Sequence, residues 1–465
     1  MRELACDVAV VGAGTAGLAA YRAAAEAGAE AVLIERGPGG TTCARVGCMP
    51  SKLLIAAATA AHAARNTDLF GIRVHDVAVD GPAVLTRLRA ERDRFVGSVV
   101  EGLNDLPEDA RLTGSARFVD ARTLAVGDAM RIRFRAAIIA TGSSPIVPES
   151  LRGLGDRLLT TDTLFEMPDL PDSLAILGAG AVGIEIAQAM ARLGVAVTVL
   201  DAGDTIAGLS EPHLTRQAAG IFGAELDLHL GATLVSAEPE GDRVRLDWTD
   251  RQGRGQVTRS ARVLAAAGRA PNLDDLDLPA AAGLRLGADG VPDFDHSTQV
   301  CAGAPVLIAG DADAWRPVLH EASRQGRVAG TNAAALAAGR PVQAVTPWTR
   351  LAMVFTHPQA AAIGAPYAPD ADNCVIGAMD FADQGRARVE GHNQGGIRIW
   401  ADPDGRLLGG EMLGPAVEHL AHLLAYAVAD GLTARDVIER PIYHPTVEEA
   451  LTTALTDLAQ TKNKC

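Results

Sequence analysis

The stretch Gly39-Gly40-Thr41-Thr42-Cys43-Ala44-Arg45-Val46-Gly47-Cys48-Met49-Pro50-Ser51-Lys52 carries the most reactive arrangement in the chain. Two thiols this close are candidates for a redox pair or for metal ligands, against the plainer reading of two unrelated buried cysteines. In a regular helix, residues five apart point about 140° away from each other, which is too far round to bridge. Gly47 lets the backbone leave that path, and Pro50 suits the first turn of a following helix. Cys48 is then expected beside a helix N-terminus and near Lys52, both of which favour thiolate. Structural zinc wants CxxC spacing and two further ligands; no such set is visible, so no metal is assigned.

Two glycine fingerprints offer phosphate-binding turns. Gly12-Ala13-Gly14-Thr15-Ala16-Gly17 follows the strand-like run Asp7–Val11 and opens an Ala-rich helix to about Gly28; a second strand, Ala31–Ile34, ends at Glu35. The same grammar returns as strand Leu174–Leu177, Gly178-Ala179-Gly180-Ala181-Val182-Gly183, a helix to Gly194, and strand Val195–Leu200 ending at Asp201. GxGxxG alone is weak in a chain with 49 glycines, and ordinary tight turns are the competing reading. Here both copies have a strand before, a helix after, and an acid placed to accept ribose hydroxyls. Two dinucleotides are expected. Asp201 would repel a 2′-phosphate, and Ala202-Gly203-Asp204 supplies no basic cluster, so NAD is favoured over NADP.

His444-Pro445-Thr446-Val447-Glu448-Glu449 is the third candidate. The chain has 11 histidines, most of them expected on the surface or in satisfied core positions. A histidine just before a helix that Pro445 initiates can present one ring nitrogen while a carboxylate a turn later orients the other. Spacing leaves both Glu448 and Glu449 open for that role.

The elements that position these residues read as α/β. Two strand–turn–helix–strand units point to doubly wound parallel sheets. After about Thr346 the pattern becomes strands (Gly396–Trp400, Leu407–Met412) and helical stretches from Ala416 and Pro445, a separate α+β part. With 465 residues the chain is long enough for two to four domains. At 48% apolar and 21% charged residues it is not disordered. With 42 Lys+Arg against 57 Asp+Glu and no basic run, nucleic-acid binding is disfavoured. His62 and Arg65 interrupt the Ala-rich stretch after Lys52, so no membrane span is expected. Arg2 and Glu3 run straight into a strand, so no secretory signal is expected. Cys6, Cys301, Cys374 and Cys465 are scattered, which does not resemble a disulfide scaffold. The expectation is an acidic, cytoplasmic protein.

The cysteine stretch resembles the redox-active motif of the flavin-dependent pyridine nucleotide-disulfide oxidoreductases, and within them looks most like the dihydrolipoamide dehydrogenases. The resemblance runs through nearly the whole chain in the family's order, including Ala140-Thr141-Gly142, Gly310-Asp311 and the His444 motif. It implies two Rossmann-like dinucleotide-binding domains plus a C-terminal α+β dimerisation domain. The division would be 1–146 for FAD with the cysteine pair, 147–274 for NAD, 275–345 as the second FAD part, and 346–465 as the interface. It assigns FAD to Gly12, Gly14, Gly17, Glu35, Thr42, Lys52, Thr141, Gly142, Gly310 and Asp311, with Asp311 meeting the ribitol and Lys52, paired with Glu185, near the flavin ring. NAD falls to Gly178, Gly180, Val182, Gly183, Glu185, Asp201 and Gly268, with Val182 gating the nicotinamide pocket. Cys43 becomes the outer thiol that exchanges with dihydrolipoamide, and Cys48 the inner thiol at the flavin. The family pattern selects Glu449 to orient His444, which reaches the disulfide of the second subunit, so a homodimer is implied. No lipoyl-domain signature precedes Asp7, so the carrier is expected to be another protein, from a 2-oxoacid complex, glycine cleavage or another lipoate system.

Some positions depart from the family pattern. Thr41 replaces a usual Gly, and Arg45 replaces Asn, which brings a cation to the pair. Ala265-Ala266-Ala267-Gly268-Arg269-Ala270-Pro271 replaces a usual threonine and second arginine, and His357 stands where Asp is common. Among rivals, glutathione-type reductases prefer NADP, which Asp201 opposes. Mercuric reductases usually carry a C-terminal cysteine pair and lack the histidine motif; here Cys465 is single. Soluble transhydrogenases lack the first cysteine. A non-catalytic flavoprotein subunit would not need Cys43, Cys48, His444 and Glu449 intact.

Overall fold

The structure is a computed structural model that describes residues 2–368 and 375–462. They divide into two compact units: one of residues up to Pro50, Ala90–Pro145 and Arg269–Trp348, the other of Ser51–Arg89, Ile146–Gly268 and the residues from Thr349 onward.

In the first unit, strand Arg2–Val11 pairs in parallel with Ala31–Glu35 on one side and Met130–Ile139 on the other. Arg111–Thr113 extends the sheet beyond Ala31–Glu35, and Val306–Ile308 pairs with the C-terminal end of Met130–Ile139. A hairpin, Ala116–Asp120 with Thr123–Val126, pairs antiparallel with the N-terminal half of that strand. Val8–Val10 and Ala136–Ile139 are fully buried, as apolar runs of a parallel sheet covered on both faces are. Helix Thr15–Glu26 is locked by Leu319–Ala337. At Gly326 and Gly330 a Cβ would lie 2.2 Å from the carbonyl oxygens of Ala16 and Ala20, so only glycine allows this approach.

The second unit has a parallel sheet in the order Asp227–Leu230, Ala196–Asp201, Ser173–Leu177, Arg262–Ala265, Leu158–Leu159. An antiparallel layer of Thr233–Glu240, Arg243–Thr249 and Gly255–Ser260 follows. Its C-terminal part is a five-stranded antiparallel sheet, Leu351–Val354, Gln359–Gly364, Leu407–Gly414, Gly396–Ala401, Val375–Asp380. Helices Val417–Ala429 and Glu449–Lys462 close an apolar core over it. The architecture is α/β, with a parallel sheet behind each glycine fingerprint and a C-terminal α+β part.

One helix differs from the sequence reading. The helix expected from Pro445 begins at Glu449. The Glu449 carboxylate accepts the Thr446 N–H at 3.1 Å, and Thr446 Oγ1 donates to the Tyr443 carbonyl at 2.7 Å. These bonds hold 443–448 as a turn, and the helix starts only where the capping carboxylate itself sits.

Candidate functional site

In the first unit the fingerprint splits its three glycines by role. A Cβ at Gly12, where φ is +103°, would meet the Ala140 carbonyl oxygen at 2.4 Å, and one at Gly17 the Gly12 oxygen at 1.8 Å. At Gly14 it would meet nothing within 4 Å. Gly14 also begins helix Thr15–Glu26 with no side-chain cap, so no side chain occupies the helix N-terminus where an anion would bind. Glu35 is fixed by the N–H groups of Ala13 and Gly37, both at 2.7 Å. Asp311 accepts from Ser143 Oγ at 2.9 Å, while Arg269 Nε donates to that Oγ at 2.8 Å. Gly142 and Gly310 both adopt positive φ. Thr141 Oγ1 is buried without a hydrogen-bond partner. An open turn, an ordered acid and an orphaned hydroxyl fit a dinucleotide such as FAD.

Cys43 lies half-buried in the short helix Thr42–Arg45, after exposed Thr42, and exposed Cys48 is the first residue of helix Cys48–Arg65. A Cβ at Gly47 would sit 3.1 Å from the Thr42 carbonyl oxygen and 3.4 Å from the Cys43 Cα. Gly47 therefore serves close approach of the two segments. Thr41 caps the short helix, Oγ1 accepting the Ala44 N–H at 3.3 Å, with φ 56° and ψ 149°. That region suits glycine, so this β-branched residue is strained. The Arg45 guanidinium donates to the Gly39 carbonyl at 3.2 Å. Burial, foremost, pushes the thiols of Cys6 and Cys301 up to about 12, so neither is a nucleophile. Cys374 and Cys465 lie outside the described residues.

The second unit repeats the fingerprint geometry. Cβ atoms at Gly178 and Gly183 would lie 2.3 Å from the Ala266 oxygen and 1.9 Å from the Gly178 oxygen, while Gly180 opens onto empty space. Ala266-Ala267-Gly268 thus occupies the backbone place that Ala140-Thr141-Gly142 takes in the first unit, with Gly268 at φ +107°. Its carbonyl crossing does not depend on the missing threonine. Asp201 is held by the N–H groups of Ala179 at 2.5 Å and Gly203 at 2.7 Å. Val182 is exposed at the start of helix Ala181–Arg192. Sequence reasoning missed Arg251, which comes from a distant hairpin to pair with Asp204. Open turn and ordered acid again fit a dinucleotide.

In the same unit Lys52 Nζ lies 2.7 and 2.9 Å from the two Glu185 carboxylate oxygens, and 4.5 Å from the centre of the Phe355 ring. Nearby, the His357 ring packs edge-on against His392 at 4.4 Å and sits 6.4 Å from His62. Burial, then His392, Arg192 and His62, push the His357 pKa from 6.5 down to about 4. Its folded value lies below its unfolded one, so the neutral ring is favoured by the fold. The resulting stability is complete above pH 6.5 and is lost as pH falls toward 4. The shift corresponds to about 3 kcal/mol over that range. His357→Asn should therefore show a smaller drop in Tm than the parent between pH 7.5 and pH 5. Equal drops would assign the acid sensitivity elsewhere.

His444 is exposed, and its Nδ1 lies 2.9 Å from Glu449 Oε1. A carboxylate only accepts, so Nδ1 carries the proton and Nε2 is left as the basic nitrogen. The hydrogen bond to His444, then that from the Thr446 N–H, holds the Glu449 carboxyl below its usual range. The structure thus selects Glu449 from the two acids that spacing left open.

Among the described residues no helix is long and apolar enough to cross a membrane, and no group of three His, Cys, Asp or Glu could hold a metal ion. Residues 6–326 match the pyridine nucleotide-disulphide oxidoreductase family, and 351–455 match that family's dimerisation domain. The chain is 32% identical over 459 residues to a dihydrolipoyl dehydrogenase of Halobacterium salinarum, covering 96% of this chain and 94% of that protein. It is 31% identical over 458 residues to a mercuric reductase of Acidithiobacillus ferrooxidans, covering 96% of this chain and 81% of that protein. Its fold resembles RclA, an HOCl-induced flavoprotein disulfide reductase of Escherichia coli solved as a Cu(II) complex, with a TM-score of 0.82 at 20% identity over 98% of this chain and 99% of that one. The chain belongs to the pyridine nucleotide-disulphide oxidoreductases, enzymes that work with FAD and NAD(H) and carry a dimerisation domain.

Proposed function

We propose that the enzyme is a dihydrolipoamide dehydrogenase, oxidising the dithiol of a lipoyl group on another protein and reducing NAD⁺. The observation that carries the reading is the ordered His444–Glu449 pair, which leaves Nε2 available to a thiol proton. Cys43, in the half-buried short helix, exchanges with the incoming dithiol. His444 of one subunit takes the proton released at the thiol pair of the other. Cys48, at its helix N-terminus, is the inner thiol. Oxidation of the dithiol yields two electrons and two protons; the electrons and one proton end on NAD⁺, and the other proton leaves through His444. Bound FAD relays the electron pair between sulfur and nicotinamide.

The remaining residues bind and orient. The turns at Gly14 and Gly180 take the pyrophosphates, Glu35 and Asp201 the riboses, and Thr141, Gly142, Gly310 and Asp311 the rest of the FAD cradle. The Lys52–Glu185 pair stands at the flavin ring, and Val182 gates the nicotinamide. In this reading residues 1–146 and 275–345 serve FAD, 147–274 NAD, and 346–465 the subunit interface. The cytoplasm supplies both the NAD pool and the lipoyl carrier. Similarity to a mercuric reductase gives the main alternative. Steady-state turnover with dihydrolipoamide, glutathione disulfide and Hg(II), each with NAD(H) and NADP(H), separates the two. Turnover confined to Hg(II) would replace this reading with metal-ion reduction.

Nucleotide choice gives a second test. The Asp201 carboxylate opposes a 2′-phosphate, and Arg251 is engaged by Asp204. NAD(H) should be preferred in kcat/KM. Asp201→Arg should move the preference toward NADP(H) by about tenfold or more, the worth of one ~1.4 kcal/mol contact. Equal efficiency with both nucleotides in the parent enzyme would refute the assignment.

A further inference from the structure

Helix Ala181–Arg192 is built mainly of small and apolar residues, yet it buries three polar side chains, Glu185, Gln188 and Arg192. At i, i+3 and i+7 they share one face. All three bind the backbone of one short segment, Phe355–His357. Glu185 Oε1 accepts the Phe355 N–H at 2.7 Å. Gln188 Oε1 accepts the His357 N–H at 2.8 Å, and its Nε2 donates to the His357 carbonyl at 2.7 Å. Arg192 adds a bond to that carbonyl at 3.1 Å while its guanidinium is tied to Glu225.

Phe355 in turn touches both members of the Lys52–Glu185 pair. Its N–H fixes the carboxylate, and its ring faces the ammonium at 4.5 Å. Gln188 is 4% exposed and satisfies the donor and the acceptor of His357 at once. Lys52 is the more exposed member of the pair, with a side chain 34% exposed against 7% for Glu185. Its direction depends on where the carboxylate and the aromatic ring are held.

We propose that Gln188 is a positioning residue for the reaction: by clamping the His357 peptide it sets Phe355, and through Phe355 the direction of the Lys52–Glu185 pair. The inference rests on the proposed reading in which that pair stands at the flavin ring. Replacing Gln188 by Leu removes both hydrogen bonds to the His357 peptide at similar volume, leaving its N–H unpartnered and its carbonyl with Arg192 alone.

The test uses the FAD-loaded enzyme and two readouts. Hydrogen exchange reports the Phe355 amide directly; Gln188→Leu should raise its rate at least about tenfold, while the Ile176 amide in the central strand is unchanged. The flavin midpoint potential reports Lys52; Gln188→Leu should shift it in the same direction as Lys52→Met, by a smaller amount. A Phe355 amide as protected in Gln188→Leu as in the parent overturns the clamp. A potential that Lys52→Met moves but Gln188→Leu does not overturns the positioning role, leaving Gln188 merely structural. If Lys52→Met leaves the potential unmoved, the placing of the pair at the flavin fails, and the positioning role for the reaction falls with it even where Phe355 loses protection.

Discussion

Serine in place of either Cys43 or Cys48 should abolish turnover with dihydrolipoamide, and the two variants should differ in colour. Neither variant can form the intramolecular disulfide, and a hydroxyl does not take part in thiol–disulfide exchange. The difference comes from position. Cys48 is the first residue of helix Cys48–Arg65, where the helix dipole favours a thiolate, whereas Cys43 lies within a single short turn. Cys43→Ser keeps the inner thiolate and should show long-wavelength absorbance with bound oxidised flavin. Cys48→Ser should lack that band while NADH still bleaches its flavin. Spectra of both variants across pH decide the matter. A band confined to Cys48→Ser would exchange the two roles, and a band in neither would remove Cys48 from the flavin.

Removing the imidazole is expected to be nearly as damaging. His444→Gln should lower kcat with dihydrolipoamide by roughly 10²–10⁴, the usual range for a lost general base. Glu449 accepts from both the His444 ring and the Thr446 N–H. Glu449→Gln therefore removes the charge that stabilises the protonated ring and loosens the turn that presents it. That variant should be severe, and Glu448→Gln mild. Pre-steady-state reduction by dihydrolipoamide isolates the affected half-reaction, because reduction by NADH should be spared in both. The opposite ranking of the two acids would show that the dyad functions with a different partner.

Much of this was legible because local signals and tertiary need coincide. The strand–glycine–helix–acid pattern marks both fingerprints, and the structure adds why each glycine is there: Gly12, Gly17, Gly178 and Gly183 sit against carbonyl oxygens. Gly47 marks the break between the two thiols for a similar steric reason. Pro445 misleads, since it resembles a helix start while the Glu449 carboxylate, bonding backward to Thr446, moves that start four residues on. The antiparallel layer from Thr233 to Ser260 carries a weak alternation that the sequence reading passed over. The meeting of His62, His357 and His392 has no sequence signature, because three distant segments supply one ring each. A signal did exist for the clamp: three polar residues on one face of an otherwise small and apolar helix.

The division of labour within the fingerprints bears on what a pair of subunits can tolerate. Alanine at Gly17 would drive a methyl group into the Gly12 carbonyl, so the subunit is lost before it can assemble. Gly14 has φ −74° and open space beyond it, so alanine there leaves the subunit folded and intrudes only where the dinucleotide belongs. In a dimer the first kind of subunit contributes to no pair. The second still enters pairs, where in the proposed arrangement its intact His444 completes the thiol pair of a normal partner, so one position of the motif costs a whole subunit and another costs only the site on its own chain.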